Sequence, residues 1–236
     1  MNRLIYLSYY STNKENTFIA AQNKIDYIAS SLGKNSFQVE FVSASVTNSA
    51  SIVLGKIQTI KDGVTLKTFD SLPGGNAFKR FIRRKHVYAQ LKKYLKENLS
   101  AVDTIIIYHS LGYYKVYKWL KEKLKVKIIL EVEEIYSDVG KTKFVTRDKE
   151  VQSFSYADAY IFPTQLLDDV VNVDKKPSVI IHGTYCVEKK CGQPLEDGKT
   201  HVVYAGTQGR RTGGGGGGIP YREISCAYFR FRFGRG

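Results

Sequence analysis

Residues 104–112 read Thr-Ile-Ile-Ile-Tyr-His-Ser-Leu-Gly. Three consecutive isoleucines between Thr104 and Tyr108 make a β-branched, apolar run with no polar alternation, the composition of a strand buried on both faces. The run stops at His109 and Ser110, so a polar pair follows directly on the strand's carboxyl end. Residues 113–125 then change period: Val116, Leu120 and Leu124 recur at the spacing of one helix face. A buried strand followed at once by a helix is the repeating unit of a parallel sheet covered on both sides.

The alternation extends in both directions. Upstream, residues 4–9 form an apolar, aromatic strand. Residues 17–32 form a helix on Phe18, Ala21, Ile25, Ile28 and Leu32, with Gly33 as its C-cap. Residues 37–42 form a second strand, with Phe37, Val39 and Phe41 on one face. Residues 57–69 read as a hairpin that turns at Asp62-Gly63. After the break at Pro73-Gly74-Gly75, Asn76 caps a long helix running to Leu99. That helix is expected to gather Phe78, Phe81, Ile82, Leu91, Leu95 and Leu99 on one stripe and a basic set from Lys79 to Lys96 on the other. Downstream, residues 126–135, 159–163, 178–181 and 201–205 read as strands, and 150–157 and 165–171 as helices. The fold class is therefore α/β: a doubly wound, Rossmann-like parallel sheet over residues 1–200, with residues 201–207 as the first strand of a further domain.

Composition changes after residue 207. Residues 1–207 hold 25 Lys and 5 Arg, whereas residues 208–236 hold 6 Arg and no Lys, and also lack Leu, Val, Asp and Asn. Six glycines, Gly213 to Gly218, precede the run Phe229-Arg230-Phe231-Arg232-Phe233. A glycine run holds neither helix nor strand, so residues 208–236 are expected to be a disordered tail. The abrupt shift also suits a reading-frame change, because GGN codons read one nucleotide later become GNG, encoding Ala, Val, Glu or Gly.

The bulk numbers narrow the function classes. A hydrophobic share of 43% is globular. The apolar start at residues 4–7 is too short for a signal-peptide core, and no stretch approaches the ~18 apolar residues of a membrane span, so a cytoplasmic protein is expected. Three cysteines, Cys186, Cys191 and Cys226, make no disulfide framework, and no His/Cys pair completes a metal site; no metal is expected. The charge of +14 favours a polyanionic partner without choosing among nucleic acid, an anionic membrane surface and phosphorylated substrates.

In open parallel sheets, ligands bind beyond the carboxyl ends of the strands. That rule selects Tyr10 and Ser11, then Ser43 and Ser45, then His109 and Ser110, and finally Glu133 and Glu134, with Thr164 and His182 further along. His109 is the versatile member, since imidazole serves as acid, base or hydrogen-bond donor near neutral pH. Alternation sends Glu131 and Glu133 to one side and Glu134 to the other, so one acid can make a structural ion pair while another meets a polar ligand. After Tyr10 there is no G-x-G-x-x-G, and the chain has no Walker loop or nucleophile elbow.

Taken in order, the segments 4–24 (LIYLSYYSTNKENTFIAAQNK), 104–112 (TIIIYHSLG), 128–138 (IILEVEEIYSD), 157–164 (ADAYIFPT), 179–188 (VIIHGTYCVE) and 201–207 (HVVYAGT) resemble the N-terminal domain of glycosyltransferase family 4, the group-1 transferases of the two-Rossmann-domain fold. The resemblance implies retaining transfer of a sugar from a nucleotide-sugar donor to a saccharide or lipid-linked acceptor, with no cofactor. It implies that His109 is the catalytic histidine of this domain, that Tyr10, Ser11 and Asn16 line the acceptor side, where Glu134 from the strand-end set joins them, and that Gly206 matches a donor-loop glycine. The family's donor domain has no counterpart here, so the 236-residue chain is expected to be inactive alone. The basic helix suits an anionic membrane surface, where lipid-linked acceptors lie. A nucleic-acid-binding module is the rival, with stacking and Arg contacts from the tail; in the transferase reading nucleic acid is not a partner.

Overall fold

In the computed structural model, residues 2–12, 19–47, 49–140 and 145–183 are described, together with the short strands at Val202–Tyr204 and Ala227–Phe229. The chain divides into two compact units, Met1–Tyr185 and Cys186–Gly236.

The first unit is built on an eight-stranded sheet. Its strands are β1 (Asn2–Ser8), β2 (Phe37–Ser43), β3 (Ile57–Lys61), β4 (Val64–Lys67), β5 (Thr104–Tyr108), β6 (Lys127–Glu131), β7 (Ala159–Phe162) and β8 (Ser178–Ile180). They lie in the order β3-β4-β2-β1-β5-β6-β7-β8. Every neighbouring pair is parallel except β3 with β4, the hairpin, which turns at Gly63 with φ +71° and carries a bulge between Thr59 and Lys61. The doubly wound parallel sheet expected from the alternation is thus present.

Two clusters fill the sheet's two faces. On one, Ile25, Ile28 and Ala29 of α1 (Ile19–Lys34) cover Leu4, Tyr6, Val39, Phe41 and Ile106. On the other, Val87, Leu91 and Leu95 of α2 (Ala77–Asn98) cover Ile5, Leu7, Ile105 and Ile107, together with Val116 and Tyr117 of α3 (Tyr114–Trp119). Consecutive residues of β1 and β5 go to opposite faces, as the two-residue period requires. The remaining helices are α4 (Tyr136–Val139), α5 (Arg147–Phe154) and α6 (Gln165–Val171). Asn76 caps α2 as expected, accepting from the Lys79 amide at 3.0 Å.

Three expectations need correction. The buried stripe of α2 is Arg83, Val87, Leu91 and Leu95, while Phe78, Phe81 and Ile82 are exposed. At about 100° per residue, Ile82 stands about 180° from Leu91, so the two cannot share a stripe. The strand expected over residues 126–135 ends at Glu131, and the chain then turns into α4 through Glu133 and Glu134. The helix expected over 113–125 begins with a 3₁₀ turn at Leu111–Tyr113, and α3 passes into a π-turn at Leu120–Leu124.

Glu131 is a polar residue in the α1-side core. Its carboxylate is fully buried, accepts from the Tyr6 hydroxyl, and leaves Oε1 without a hydrogen-bond partner. Burial, with the nearby charge of Glu133, pushes it up to about 7 against the pull of Tyr6 and Lys24. Lys24 itself is buried and pairs with Glu133.

In the second unit, β9 (Val202–Tyr204) pairs antiparallel with β10 (Ala227–Phe229). The first of these strands coincides with the one expected over 201–205. The second lies within the segment expected to be a disordered tail; the rest of 208–236, and the boundary expected at residue 200, lie outside the described residues.

Two outcomes follow for stability. Asn76→Ala should cost about 1 kcal/mol in urea denaturation, the usual worth of an N-cap. Glu131 holds a proton in the folded state that the unfolded chain releases between about pH 4.5 and about pH 7. Its contribution is therefore lost as pH rises through that window. Glu131→Gln should flatten this fall, read as the change in unfolding midpoint between about pH 5 and about pH 8; an unchanged pH slope would refute the assignment.

Candidate functional site

Neighbours of β1 run outward in opposite directions, β2 to one side and β5 to the other, so the topological switch point lies between β1 and β5. A crevice is expected beyond the carboxyl ends of those strands. Tyr9 follows β1, and His109 and Ser110 follow β5.

A tyrosine group occupies this place. The Tyr9 ring stacks on Tyr113 with centroids 4.6 Å apart, and its hydroxyl lies 2.6 Å from the Tyr88 hydroxyl of α2. Tyr113 donates from its buried hydroxyl to the Ser8 carbonyl at 2.6 Å, which ties the turn after β5 to the end of β1. Ser110 caps that turn, accepting from the Gly112 amide. A Cβ at Gly112 would lie 2.2 Å from the Tyr9 hydroxyl oxygen and 2.6 Å from that of Tyr88, so only glycine leaves the paired hydroxyls in place. Burial holds both hydroxyls above the ordinary phenol value, while the charge of Arg84 pulls each down. The half-buried Tyr9 and Tyr88, with Ser110 and the exposed Arg84, form a hydroxyl-rich rim with a cation beside it.

His109 lies under this rim rather than on it. Its side chain is 1% exposed, and both ring nitrogens are engaged. Nε2 is 2.8 Å from Glu150 Oε1, and Nδ1 is 3.0 Å from the Tyr117 hydroxyl. Glu150, from α5, also accepts from the amides of Tyr136 (2.8 Å) and Ser137 (2.9 Å) at the start of α4. Burial alone would raise this carboxyl, but the bonds from His109, Ser137 and Tyr136 outweigh it and hold it at about 2. The carboxylate is therefore ionised at neutral pH and accepts only, so Nε2 carries the proton in that bond.

The other expected residues are distributed as follows. Tyr10 is buried on the α1 side, its ring stacked on Phe41 at 4.5 Å and its hydroxyl donating to Asp26; burial and Asp26 push it up to about 12. His109 packs on the opposite face, against Phe154, so the two share the sheet edge but not a face. Ser11 is half-buried at the same edge, and Ser43 donates to the Tyr10 carbonyl at 2.7 Å. Glu134 is exposed beyond β6, where its charge raises the hydroxyls of Tyr108 and Tyr136, each of which burial raises more. Thr164 caps α6, and His182 is exposed with Nδ1 against the Pro163 carbonyl. Asn16 and Gly206 lie outside the described residues. Tyr9, Tyr88, Gly112 and Glu150 were missed in the sequence; the signals available were the tyrosine richness of the chain and the glycine just past a strand end.

A separate open cavity of about 510 Å³ is lined by Tyr114, Lys118, Trp119, Lys149 and Tyr156 among others, and contains none of the expected residues. Among the described residues no group of three or more His, Cys, Asp or Glu could hold a metal ion, and no helix is long and apolar enough to cross a membrane.

No protein-family model matches the chain, and no curated protein matches it significantly in sequence. Solved structures do match. A sucrose-phosphate synthase from Thermosynechococcus elongatus superposes with a TM-score of 0.53 at 9% identity, over 77% of this chain and 48% of that one. A UDP-forming α,α-trehalose-phosphate synthase from Burkholderia vietnamiensis gives 0.49 at 14% identity, over 73% and 43%. The catalytic domain of starch synthase IV from Arabidopsis thaliana, bound to ADP and acarbose, gives 0.49 at 10% identity, over 77% and 51%. The chain thus spans about half the length of these structures, and what it shares with the sucrose-phosphate synthase is the fold of that half.

Proposed function

We propose that residues 1–200 form the acceptor-side wall of a sugar transferase with two Rossmann-like domains, of the kind found in glycosyltransferase family 4. The reaction would be retaining transfer from a nucleotide-sugar to a saccharide or lipid-linked acceptor, without a cofactor and on the cytoplasmic side. The observation that carries this reading is the switch-point rim. Beyond the carboxyl ends of β1 and β5, this chain gathers paired tyrosine hydroxyls, Ser110 and the charge of Arg84. Aromatic edges and hydroxyls suit a polyhydroxylated ligand, and Arg84 suits a phosphate on it.

The expected site residues take different parts in this proposal. Ser11 and Glu134 offer polar groups at the same edge, and Tyr10, Asn16 and Gly206 keep the roles the family resemblance gives them. His109 acts as a positioning residue. Through Glu150 it fastens the end of β5 to the starts of α4 and α5, and a direct part in transfer would require one of its two bonds to open. Because both substrates must be held against each other in a closed cleft, this chain alone is expected to bind acceptor without turning over donor.

Acceptor binding by the purified chain, measured calorimetrically across mono- and disaccharides and their phosphates, tests the reading. Gly112→Ala should weaken it about tenfold by displacing the Tyr9–Tyr88 pair, which corresponds to about 1.4 kcal/mol. Binding of no saccharide by the wild-type chain would sink the acceptor assignment, and turnover of a nucleotide-sugar would sink the expectation of inactivity. His109→Ala should cost about 1–3 kcal/mol of stability by leaving Glu150 short of a donor, and His109→Gln should recover part of it. If His109→Ala abolished acceptor binding at unchanged stability, direct contact would replace the positioning role.

A further inference from the structure

The first turns of α2 are uncovered on every side. Residues 77–82 are all exposed, with Phe78 at 68%, Phe81 at 54% and Ile82 at 40%. Lys79, Arg80, Arg84 and Lys85 are exposed around them, and no acidic residue occurs from Asn76 through Lys96. On a helical wheel the three apolar residues span an arc of about 100°, with Lys79 and Arg84 about 60° beyond its two ends. Lys85 sits over the Phe81 ring, 4.6 Å from its centroid. The segment breaks two ordinary preferences at one place: large apolar side chains stand in water, and basic side chains occupy the first turns of a helix, where the macrodipole favours acids. Such local conflicts mark functional surfaces.

The position of these turns matters as much as their composition. α2 returns from the carboxyl end of β4 to the amino end of β5, so its first turns stand at the edge that carries the switch-point rim. Arg84 bridges the two, its charge acting on the hydroxyls of Tyr9 and Tyr88.

We propose that this surface docks the protein on an anionic phospholipid bilayer. Phe78, Phe81 and Ile82 enter the boundary between headgroups and acyl chains, while Lys79 and Arg84 on either side of the arc, and Lys85 over the Phe81 ring, meet the lipid phosphates. A bilayer fits better than nucleic acid because the apolar residues form one continuous ridge that includes the aliphatic Ile82. Base stacking uses separate aromatic faces along a basic groove. Docked this way, the rim opens toward the membrane plane, and an acceptor carried on a lipid reaches it from the side.

The test is flotation of the full chain with vesicles of phosphatidylcholine alone and of phosphatidylcholine mixed with phosphatidylglycerol. Binding is read without turnover, so its failure and the failure of the transferase reading are separate results. The wild-type chain should float with the mixed vesicles and stay behind with phosphatidylcholine alone. Phe78→Ser with Phe81→Ser, and Lys79→Glu with Lys85→Glu, should each weaken binding at least about tenfold. All four side chains are exposed, and a glutamate at position 79 stands where a capping box favours it, so neither pair should lower the unfolding midpoint. Wild-type chain that ignores the mixed vesicles overturns the proposal. So does a phenylalanine pair that floats as well as wild type while only the charge-reversed pair is lost, the behaviour of a general polyanion binder.

Discussion

The carboxylate of Glu150 is the point on which the carboxyl edge of the sheet depends. One side chain receives a ring N–H from the end of β5 and two amides from the start of α4, and it does so from α5. A buried carboxylate is costly unless every lone pair is met, and here at least three donors meet it. Its charge also sits at the positive end of α4, where the free amides of a helix favour an anion. The end of β5 and the starts of α4 and α5 are therefore fastened together at one carboxylate, and the Tyr113 bond to the Ser8 carbonyl joins the turn after β5 to β1.

Legibility in the sequence follows the range of the interactions. Strands β1, β2, β5 and β7, helix α6 and the Asn76 cap were all readable because local period and local capping decide them. The turn at Asp62-Gly63 was readable because only a residue tolerant of positive φ fits there. The buried face of α2 was not, since the apolar ridge at its start competes with Val87, Leu91 and Leu95, and only the sheet decides which set it covers. The end of β6 was misplaced because Val132 continues the alternation of Ile128 and Leu130 past the strand's last residue.

The site was readable as an edge but not as a set of contacts. The strand-end rule put His109, Ser11 and Glu134 on one rim. It could not show that His109 lies inward, because Glu150, its partner, is 41 residues away on a helix whose polar positions all look solvated in sequence. Tyr9 and Tyr88, 79 residues apart, meet only after α2 has packed on the sheet. The acidic run at the end of β6 fared better: Glu133 pairs with Lys24, as the cost of burying unpaired charge requires, and the buried Glu131 accepts from Tyr6.

The two borders of the sheet show how the first unit limits itself. A sheet border presents unpaired amides and carbonyls that can template another chain. At one border stands β3, short, bulged between Thr59 and Lys61 and bearing Lys56 and Lys61 beside its ladder. At the other stands β8, three residues long and bounded by Pro177. Charge, a bulge and brevity each discourage strand addition, so the first unit can expose an apolar ridge on α2 for a partner of its own without inviting copies of itself to extend the sheet.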